Sequence, residues 1–345
     1  MKQSKTIDVR ISYLRIFATL TVVFLHTCST VVSNPEQFTF TAAQGKFLLL
    51  GSKLLRFAVP VFFLISGKLL LGSQKKLTYK MTFEKYVRRI VLALAFFGIP
   101  FAVIKTYLEL HAFSPIAIIK AFVCNESFSH LWYLYTLVAV YLILPLLKSA
   151  VHHVSGSTLL IGSVCMLIFS YVIPLISHLT GWKIAFEIAA PYPIFYFIVG
   201  YYISKLQEPK DAKWMHASVA VIIVSIAAIT IIILAGIDTE YLCSYDSPII
   251  ALYSVAIYYL SQNLKVSELS EKHISVIWKI DRLCFGVYLI HPVFIQFVYR
   301  MVKIDPCSFR LYPLAAIVFF AVFTILSFAV SFIMQLIPWL RKNVL

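Results

Sequence analysis

The chain has 345 residues, of which 61% are hydrophobic and 13% are charged, and its mean hydropathy is +0.88. This composition excludes a soluble globular domain, in which about a quarter of the residues are charged, and predicts many membrane-spanning helices. The formal net charge of +15 does not indicate a nucleic-acid partner, because no polar segment is long enough to form a basic domain in water.

Apolar windows of about 19 residues predict about ten spans. They cover roughly residues 12–33, 47–71, 90–109, 131–148, 157–178, 189–206, 215–236, 247–264, 283–303 and 311–337. The basic N-terminus resembles a signal peptide, but small residues at a cleavage site are missing and Arg15 and His26 interrupt the apolar run. We therefore interpret this run as the first span. The predicted fold is an all-α polytopic membrane helix bundle with about ten transmembrane helices, since no window alternates like a barrel strand.

Basic residues are distributed unevenly between alternate loops. If the N-terminus is cytoplasmic, the inside segments hold most of the Lys and Arg residues, and the outside loops hold most of the acidic ones. The positive-inside rule therefore places both termini in the cytoplasm, in agreement with an even number of spans. The six cysteines show neither a CxxC spacing nor a Cys/His cluster, so no metal site is predicted.

The first span, "YLRIFATLTVVFLHT", carries two polar side chains on one face. Arg15 and His26 are eleven positions apart, close to three helical turns, which separates them by about 16 Å along the axis. A single intramembrane His is more commonly a packing residue. Arg15 and His26, however, are both energetically unfavourable in lipid and lie on the same helix face, which indicates a polar path through the bundle. A neutral imidazole near pH 7 can accept a proton from a hydroxyl, so His26 is a candidate general base or nucleophile.

The second predicted span contains a cation that is hard to reconcile with lipid. Arg56 lies about nine residues into the window, where a side chain reaches neither interface easily. It is therefore predicted to face a polar cavity or a ligand. By contrast, Lys68 and Lys105 lie close enough to span ends to reach the interface.

The segment from Gly72 to Arg89 is the longest predicted cytoplasmic loop and is strongly basic. Contact with lipid headgroups explains such a segment from composition alone. A site for a phosphate-bearing cytoplasmic ligand is the sharper alternative, because Arg presents a fork of donors to phosphate oxygens. The chain has no phosphate-binding Gly-rich loop, no GxSxG and no HExxH, which disfavours kinase and hydrolase functions.

Further candidates lie at span ends. His130 and Trp132 open the fourth span at its outer end, where an aromatic belt is the simpler explanation. His291 precedes Pro292 in the ninth span, and it could bond to backbone that the proline leaves unpaired.

Five motifs resemble the membrane acyltransferase 3 family. They are "RIFATLTVVFLH" with Arg15 and His26, "RFAVPVFFLISG" with Arg56, "KYVR" with Lys85 and Arg88, "HLWYLYTLVAVYLILP", and "FGVYLIHP" with His291. They occur in order along nearly the whole chain, and the second and fourth are similar to the enterobacterial common antigen O-acetyltransferase type. The resemblance implies a ten-span protein of the bacterial plasma membrane that moves an acyl group, usually acetyl, from cytoplasmic acyl-CoA to a hydroxyl. The acceptor would be an extracytoplasmic glycan or a lipid-linked sugar of the cell surface.

The resemblance also implies roles for individual residues. His26 would deprotonate the sugar hydroxyl or carry the acyl group, with Arg15 near the donor entry, and the phosphates of acetyl-CoA would bind to Lys85, Arg88 and Arg89. Thioester transfer develops an oxyanion, and our hypothesis is that Arg56 is the cation that stabilises it. We further expect the acceptor to bind near His130, Trp132 and His291, since an aromatic face stacks well on a sugar ring. Membrane lipid is the remaining expected partner, and no metal cofactor is expected. We expect residues 1–345 to form a single transmembrane acyltransferase domain without an appended soluble domain.

The sequence departs from the family pattern at two places. Ser12 and Ile16 stand where members have an acidic residue before the Arg and a Gly after it, so a carboxylate near Arg15 is missing. Lys85 replaces the first Arg of the third-span pair, and a Lys is a point charge rather than a fork. A polysaccharide-unit transporter and a membrane sensor on the same fold remain alternative functions, although the halves show no self-similarity of the kind typical of transporters.

Overall fold

The computed structural model describes residues 8–182, 184–185, 192–206, 212–264, 266 and 269–345. Within these residues the chain forms helices and no strand, which confirms the all-α prediction. The helices are α1 Val9–Val32, α2 Ala42–Leu54, α3 Ala58–Leu71, α4 Tyr79–Met81, α5 Arg88–Leu110, α6 Pro115–Val123, α7 Trp132–His152, α8 Gly156–Leu167, α9 Ile173–Thr180, α10 Tyr192–Lys205, α11 Ala212–Leu234, α12 Thr239–Leu242, α13 Pro248–Ser261, α14 Glu271–Asp281, α15 Cys284–Gln296, α16 Tyr312–Leu336 and α17 Pro338–Asn343.

Eight helical stretches in the described ranges are long and apolar enough to cross a membrane. They are Val9–Val32, Ala42–Leu71, Tyr79–Tyr107, Ser129–His152, Gly156–Thr180, Ala212–Leu234, Cys284–Val302 and Tyr312–Leu336. The remaining two predicted spans correspond to α10 and α13, which have 14 residues each; residues 189–191 of the former window lie outside the described residues. A helix of that length measures about 21 Å, which is shorter than the hydrocarbon core of a bilayer. The protein is a polytopic helix bundle that contacts membrane lipid.

The second predicted span falls within the candidate span Ala42–Leu71, and its helix is interrupted by a turn. Helix α2 ends at Leu54 and α3 begins at Ala58, with Arg56 in the break. Pro60 has no backbone N–H to donate to the carbonyl of Arg56, and its ring crowds that carbonyl, so an uninterrupted helix is disfavoured here. The other end of the stretch begins earlier than predicted, because Thr41 and Gln44 form a capping box at the start of α2.

The basic segment before the third span is largely helical rather than a loop. The Thr78 hydroxyl accepts a hydrogen bond from the backbone N–H of Met81 and caps α4. A π-helical turn, Thr82–Val87, then joins α4 to α5. Lys85, Arg88 and Arg89 therefore lie on a continuous helical stretch, which gives them fixed positions relative to one another.

The chain divides into two compact units. The first comprises Met1–Ser73 and Val154–Phe328, and the second comprises Gln74–His153 and Ala329–Leu345. Within the first unit, α3 and α10 pack closely through glycines, as is common between membrane helices. A Cβ atom added at Gly67 would clash with the backbone of Phe197, and one added at Gly200 would clash with the backbone of Leu64.

This close packing predicts a specific sensitivity. Gly200→Ala is expected to destabilise the protein by about 1–3 kcal/mol, because the backbone of Leu64 must shift to admit the methyl group. The matched control is Gly162→Ala in α8, where a Cβ meets nothing within 4 Å. Apparent melting temperatures in detergent test the prediction, and equal values for the two variants would contradict it.

Candidate active site

Helix α1 carries two of the predicted site residues on one uninterrupted helix. It starts at Asp8, whose side chain accepts a hydrogen bond from the backbone N–H of Ile11, 3.4 Å away. Threonine hydroxyls along the helix, such as those of Thr19 and Thr30, donate to the carbonyls of the preceding turn at 2.8 Å. These internal bonds satisfy polar side chains that would otherwise be costly in an apolar environment.

Arg15 is paired with a carboxylate from a distant part of the chain. Its Nη1 atom lies 2.9 Å from Oδ1 and 3.0 Å from Oδ2 of Asp281, the last residue of α14. The Ser12 hydroxyl donates to the same carboxylate at 2.8 Å. The inference that a carboxylate for Arg15 is missing was therefore wrong, because Asp281 supplies it from outside the first span.

The Asp281 carboxylate is more deeply buried than its partner. Its side chain is 8% exposed, whereas that of Arg15 is 30% exposed. Burial raises the pKa of Asp281 above its ordinary value, while Arg15 and the Ser12 hydroxyl act in the opposite direction. The ionised carboxylate thus depends on these two partners.

Asp8, the other acidic residue near the start of α1, has a different role. Its Oδ2 atom accepts a hydrogen bond from Nζ of Lys68 at 2.6 Å, and the same ammonium lies 2.7 Å from Oε1 of Gln262. These contacts link the start of α1, the end of α3 and the end of α13. Lys68 is therefore held by an acidic partner and does not rely on the membrane interface for its stabilisation.

His26 lies beside a second histidine. The ring centroids of His26 and His291 are 5.3 Å apart, with an angle of 42° between the planes. His291 is fully buried, and its Nδ1 atom lies 3.0 Å from the carbonyl oxygen of Val287. The Tyr288 ring lies 6.3 Å from that of His291. The structure thus brings His291, which was predicted to bind the acceptor, next to the predicted catalytic residue.

Arg56 contacts the segment that follows α12. Its Nη1 atom donates to the carbonyl oxygen of Cys243 at 2.9 Å, and its guanidinium carbon lies 5.6 Å from the centre of the Tyr245 ring. Burial raises the pKa of the Tyr245 phenol, and the charge of Arg56 opposes this shift. The break between α2 and α3 therefore exposes the cation to a carbonyl and an aromatic face, both of which stabilise positive charge.

Lys53, close to Arg56 in sequence, also contacts the α12 region. Lys53 is 2% exposed, and its Nζ atom lies 2.9 Å from Oε1 of Glu240 and 3.2 Å from the carbonyl oxygen of Thr239. The hydrogen bond from Lys53 lowers the pKa of Glu240. Two cations near the helix break thus hold the α12 region against α2.

Helix α2 and the break after it run along α1. Gly51 of α2 packs against the Cys28 side chain of α1, and the Phe57 ring stacks on that of Phe17 at 5.9 Å. Arg56, next to Phe57, therefore lies nearer the level of Phe17 than that of Cys28.

Two tyrosines lie next to the candidate residues. The guanidinium carbon of Arg56 lies 5.6 Å from the centre of the Tyr245 ring, and the Tyr288 ring lies 6.3 Å from that of His291. Arg56 and His291 thus each have an aromatic neighbour within the first unit.

The predicted donor-binding residues all belong to the second unit. Arg88 donates from Nη2 to Oδ1 of Asn343 at 3.3 Å, and Arg89 donates from Nε to the carbonyl oxygen of Val344 at 3.2 Å. Lys85 is exposed, and its ammonium lies 5.5 Å from the centre of the Tyr86 ring. Three exposed cations on one helical stretch fit a phosphate-bearing ligand in their chemistry.

His130 and Trp132 also lie in the second unit. His130 is 3% exposed, on the 3-10 turn Ser129–Leu131, and its ring makes an edge contact with Phe128 at 5.0 Å. Trp132 is partly buried, with its ring 6.3 Å from that of Tyr133. The three residues predicted to bind the acceptor are therefore divided, since His291 belongs to the first unit with His26.

Sequence reasoning missed several residues that the structure places around the predicted site. They are Ser12, Asp281, Tyr245 and Tyr288 in the contacts described above, with Glu240 beside Lys53. No local pattern marks Asp281 as the partner of Arg15, because the two are 266 positions apart. The described residues contain no group of three or more His, Cys, Asp or Glu side chains arranged to hold a metal ion.

The fold and the site together define a polytopic membrane protein with a histidine pair and paired cations inside a helix bundle. A comparison with family models matches residues 8–336 to the acyltransferase domain family Acyl_transf_3. The chain belongs to this family, and it is a multi-pass membrane acyltransferase. Searches of curated proteins and of solved structures gave no match. Membership of an acyltransferase family disfavours the transporter and sensor interpretations.

Proposed function

We propose that the protein is a membrane O-acyltransferase that moves an acetyl group from cytoplasmic acetyl-CoA to a hydroxyl of an extracytoplasmic or lipid-linked glycan. The observation that carries the proposal is the placement of His26 beside His291 in a chain of the acyltransferase family. Two imidazoles in contact inside a bundle provide proton-transfer groups where acyl transfer to a hydroxyl requires them.

The topology of the proposal follows the distribution of charge. Both termini are cytoplasmic and the membrane is the bacterial plasma membrane, so Lys85, Arg88 and Arg89 face the compartment that contains acyl-CoA. We assign the phosphates of the donor to these three cations. Arg88 uses one of its five N–H donors for Asn343, so its guanidinium retains donors for a phosphate oxygen.

His26 is the residue at which transfer takes place in this proposal. It has the position along α1 that the polar path from Arg15 predicts, and its imidazole acts on the acceptor hydroxyl or on the acyl group itself. Arg15, held by Asp281 at 2.9 Å, is the cation at the cytoplasmic end of that path. For the acceptor, His291 is the candidate in the first unit, and in the second unit His130 and Trp132 remain candidates from the sequence, since an aromatic face suits a sugar ring.

The proposal also covers the class of acceptor and the domain organisation. The acceptor class is a cell-surface polysaccharide of the kind modified by the enterobacterial common antigen O-acetyltransferase type, because the "VPVFFLISG" and "HLWYLY" stretches resemble that type. We propose that residues 1–345 form one transmembrane acyltransferase domain.

The proposal is tested with inside-out vesicles that contain the protein and are supplied with acetyl-CoA labelled in the acetyl group. Label is expected in the glycan fraction of these vesicles, and vesicles without the protein serve as the control. A panel of longer acyl-CoAs tests the choice of acetyl. Failure of every acyl-CoA to label glycan or lipid-linked sugar would contradict the proposed function.

Arg56 gives a further prediction for the chemical step. Transfer from a thioester develops negative charge on the carbonyl oxygen, and loss of one group that stabilises such an oxyanion costs about 10²–10³-fold in turnover. Arg56→Lys keeps a positive charge but not the fork of N–H donors. Turnover of Arg56→Lys should therefore fall by up to about 10²–10³-fold, while expression and melting temperature are retained. Full activity in the variant would contradict the role of Arg56 in stabilising the oxyanion.

A further inference from the structure

The neighbour of His26 has a defined protonation pattern. His291 Nδ1 lies 3.0 Å from the carbonyl oxygen of Val287. A carbonyl oxygen only accepts hydrogen bonds, so Nδ1 of His291 carries the hydrogen and donates it. In the neutral ring Nε2 is then the nitrogen that carries the lone pair, which makes His291 a base fixed in one tautomer.

Three carboxylates of the first unit are held in ion pairs. Asp281 contacts Arg15, Asp8 contacts Lys68, and Glu240 contacts Lys53, all at 2.9 Å or less. The imidazole of His291 is in ring contact with His26, with the two centroids 5.3 Å apart. His291 is therefore a titratable group placed directly beside the predicted site of transfer.

We propose that His291 is a catalytic base that takes the proton from the acceptor hydroxyl, while His26 carries the acyl group between donor and acceptor. The proposal rests on the proposed function and deepens it, because it commits the transfer to two steps on two different imidazoles. It also replaces acceptor binding as the role of His291.

Acyl transfer takes place in two steps. A ring nitrogen of His26 attacks the thioester carbonyl carbon, a C–N bond forms, the C–S bond breaks, and the CoA thiolate takes the proton released by the acylated ring. The acceptor oxygen then attacks the same carbon, a C–O bond forms and the C–N bond breaks. The hydroxyl proton moves to Nε2 of His291 and then to the departing nitrogen of His26, which restores both neutral rings.

Packing fixes the positions of the two imidazoles. Tyr288 lies one turn before His291 on α15, with its ring 6.3 Å from that of His291 and stacked with Phe285 at 6.3 Å. The Tyr299 hydroxyl, about two turns after His291, donates to the Thr27 carbonyl of α1 at 3.1 Å. The segments that carry the two imidazoles are thus tied together next to His26.

The test uses purified full-length protein in detergent, with acetyl-CoA labelled in the acetyl group and without acceptor. The wild type and His291→Asn are expected to take up label on His26, and His26→Asn is expected to take up none. Asn at position 291 retains an amide N–H for the Val287 carbonyl but has no basic nitrogen. His216→Asn, at an exposed position of α11, is the matched control for the substitution itself.

The rate at which the label leaves His26 then shows whether His291 acts as a base or has only a structural role. A sugar alcohol probe, methyl glucoside, is a weak nucleophile that needs a base, whereas hydroxylamine attacks an acyl-imidazole without one. His291→Asn should release label to methyl glucoside about 10²-fold more slowly than the wild type and to hydroxylamine at the wild-type rate. A merely structural defect would slow both reactions.

Three results would overturn the proposal. The first is release to methyl glucoside by His291→Asn at the wild-type rate. The second is no labelling of His291→Asn with its melting temperature retained, and the third is wild-type transfer to an alcohol without any labelled protein. A wild type that transfers no acetyl group to any acceptor contradicts the proposed function instead, so the two failures are distinguishable.

Discussion

Replacement of His26 by Ala is expected to lower acetyl transfer by about 10²–10⁴-fold, because it removes the imidazole that acts on the acyl group or on the acceptor hydroxyl. The loss has no local substitute in the first span, because α1 contains no Asp, Glu or second His. In the first unit the nearest imidazole shown, that of His291, is anchored through Nδ1 to Val287. This bond holds the His291 ring in its own position beside the site that His26 vacates.

The measurement is single-turnover transfer of labelled acetyl to glycan in inside-out vesicles. His153→Ala is the matched control, because His153 is exposed at the end of α7 and its Nδ1 contacts only its own helix through the Ser149 carbonyl in the contacts shown. Comparable melting temperatures for both variants establish that the fold is retained. Transfer by His26→Ala within threefold of the control would refute a chemical role for His26.

The helix content of the fold could be predicted because each long apolar window satisfies its own backbone hydrogen bonds. The break at Arg56 was missed, although the sequence carries a signal for it. Pro60 lies four residues after Arg56, a cation that is unfavourable in lipid. A break in the helix accommodates both the proline and the cation. Hydropathy averages such positions with their apolar neighbours, so the window around residues 47–71 concealed the break.

The site was only partly predictable for a different reason. The residue types and their spacing on one helix identified Arg15 and His26, since periodicity along a helix is a local property. The pairing of Arg15 with Asp281 and the contact of His26 with His291 depend on the packing of α14 and α15 against α1. No local pattern encodes such packing, and an acid expected one turn before Arg15 was therefore interpreted as absent.

The pair of Arg15 and Asp281 is expected to respond unequally to removal of its two members. Arg15→Met leaves a buried carboxylate with Ser12 as its remaining partner, and such a loss costs about 3–5 kcal/mol of stability. Asp281→Asn leaves a guanidinium whose side chain is 30% exposed and is stabilised by water, so the expected cost is smaller. The double variant should recover part of the loss in Arg15→Met, because it removes both charges together.

The pH dependence of stability identifies the carboxylate as the cause. Burial raises the pKa of Asp281 in the folded protein, and loss of Arg15 removes the largest effect that lowers it. A carboxyl group with a raised folded pKa stabilises the fold below its unfolded pKa, and this contribution is lost as pH rises through the folded value. The melting temperature of Arg15→Met should therefore fall, relative to the wild type, as pH rises from the ordinary pKa of Asp to the raised value.

Asp281→Asn and the double variant have no titrating group at this position, so the additional pH dependence should disappear in both. The same variants separate stability from function. If Arg15 serves the donor path, Asp281→Asn retains acetyl transfer at temperatures where it is folded, whereas Arg15→Met and the double variant both lose it. Equal transfer by Asp281→Asn and the double variant would limit Arg15 to holding α14 against α1, and would leave the path from the cytoplasm to His26 without its cation.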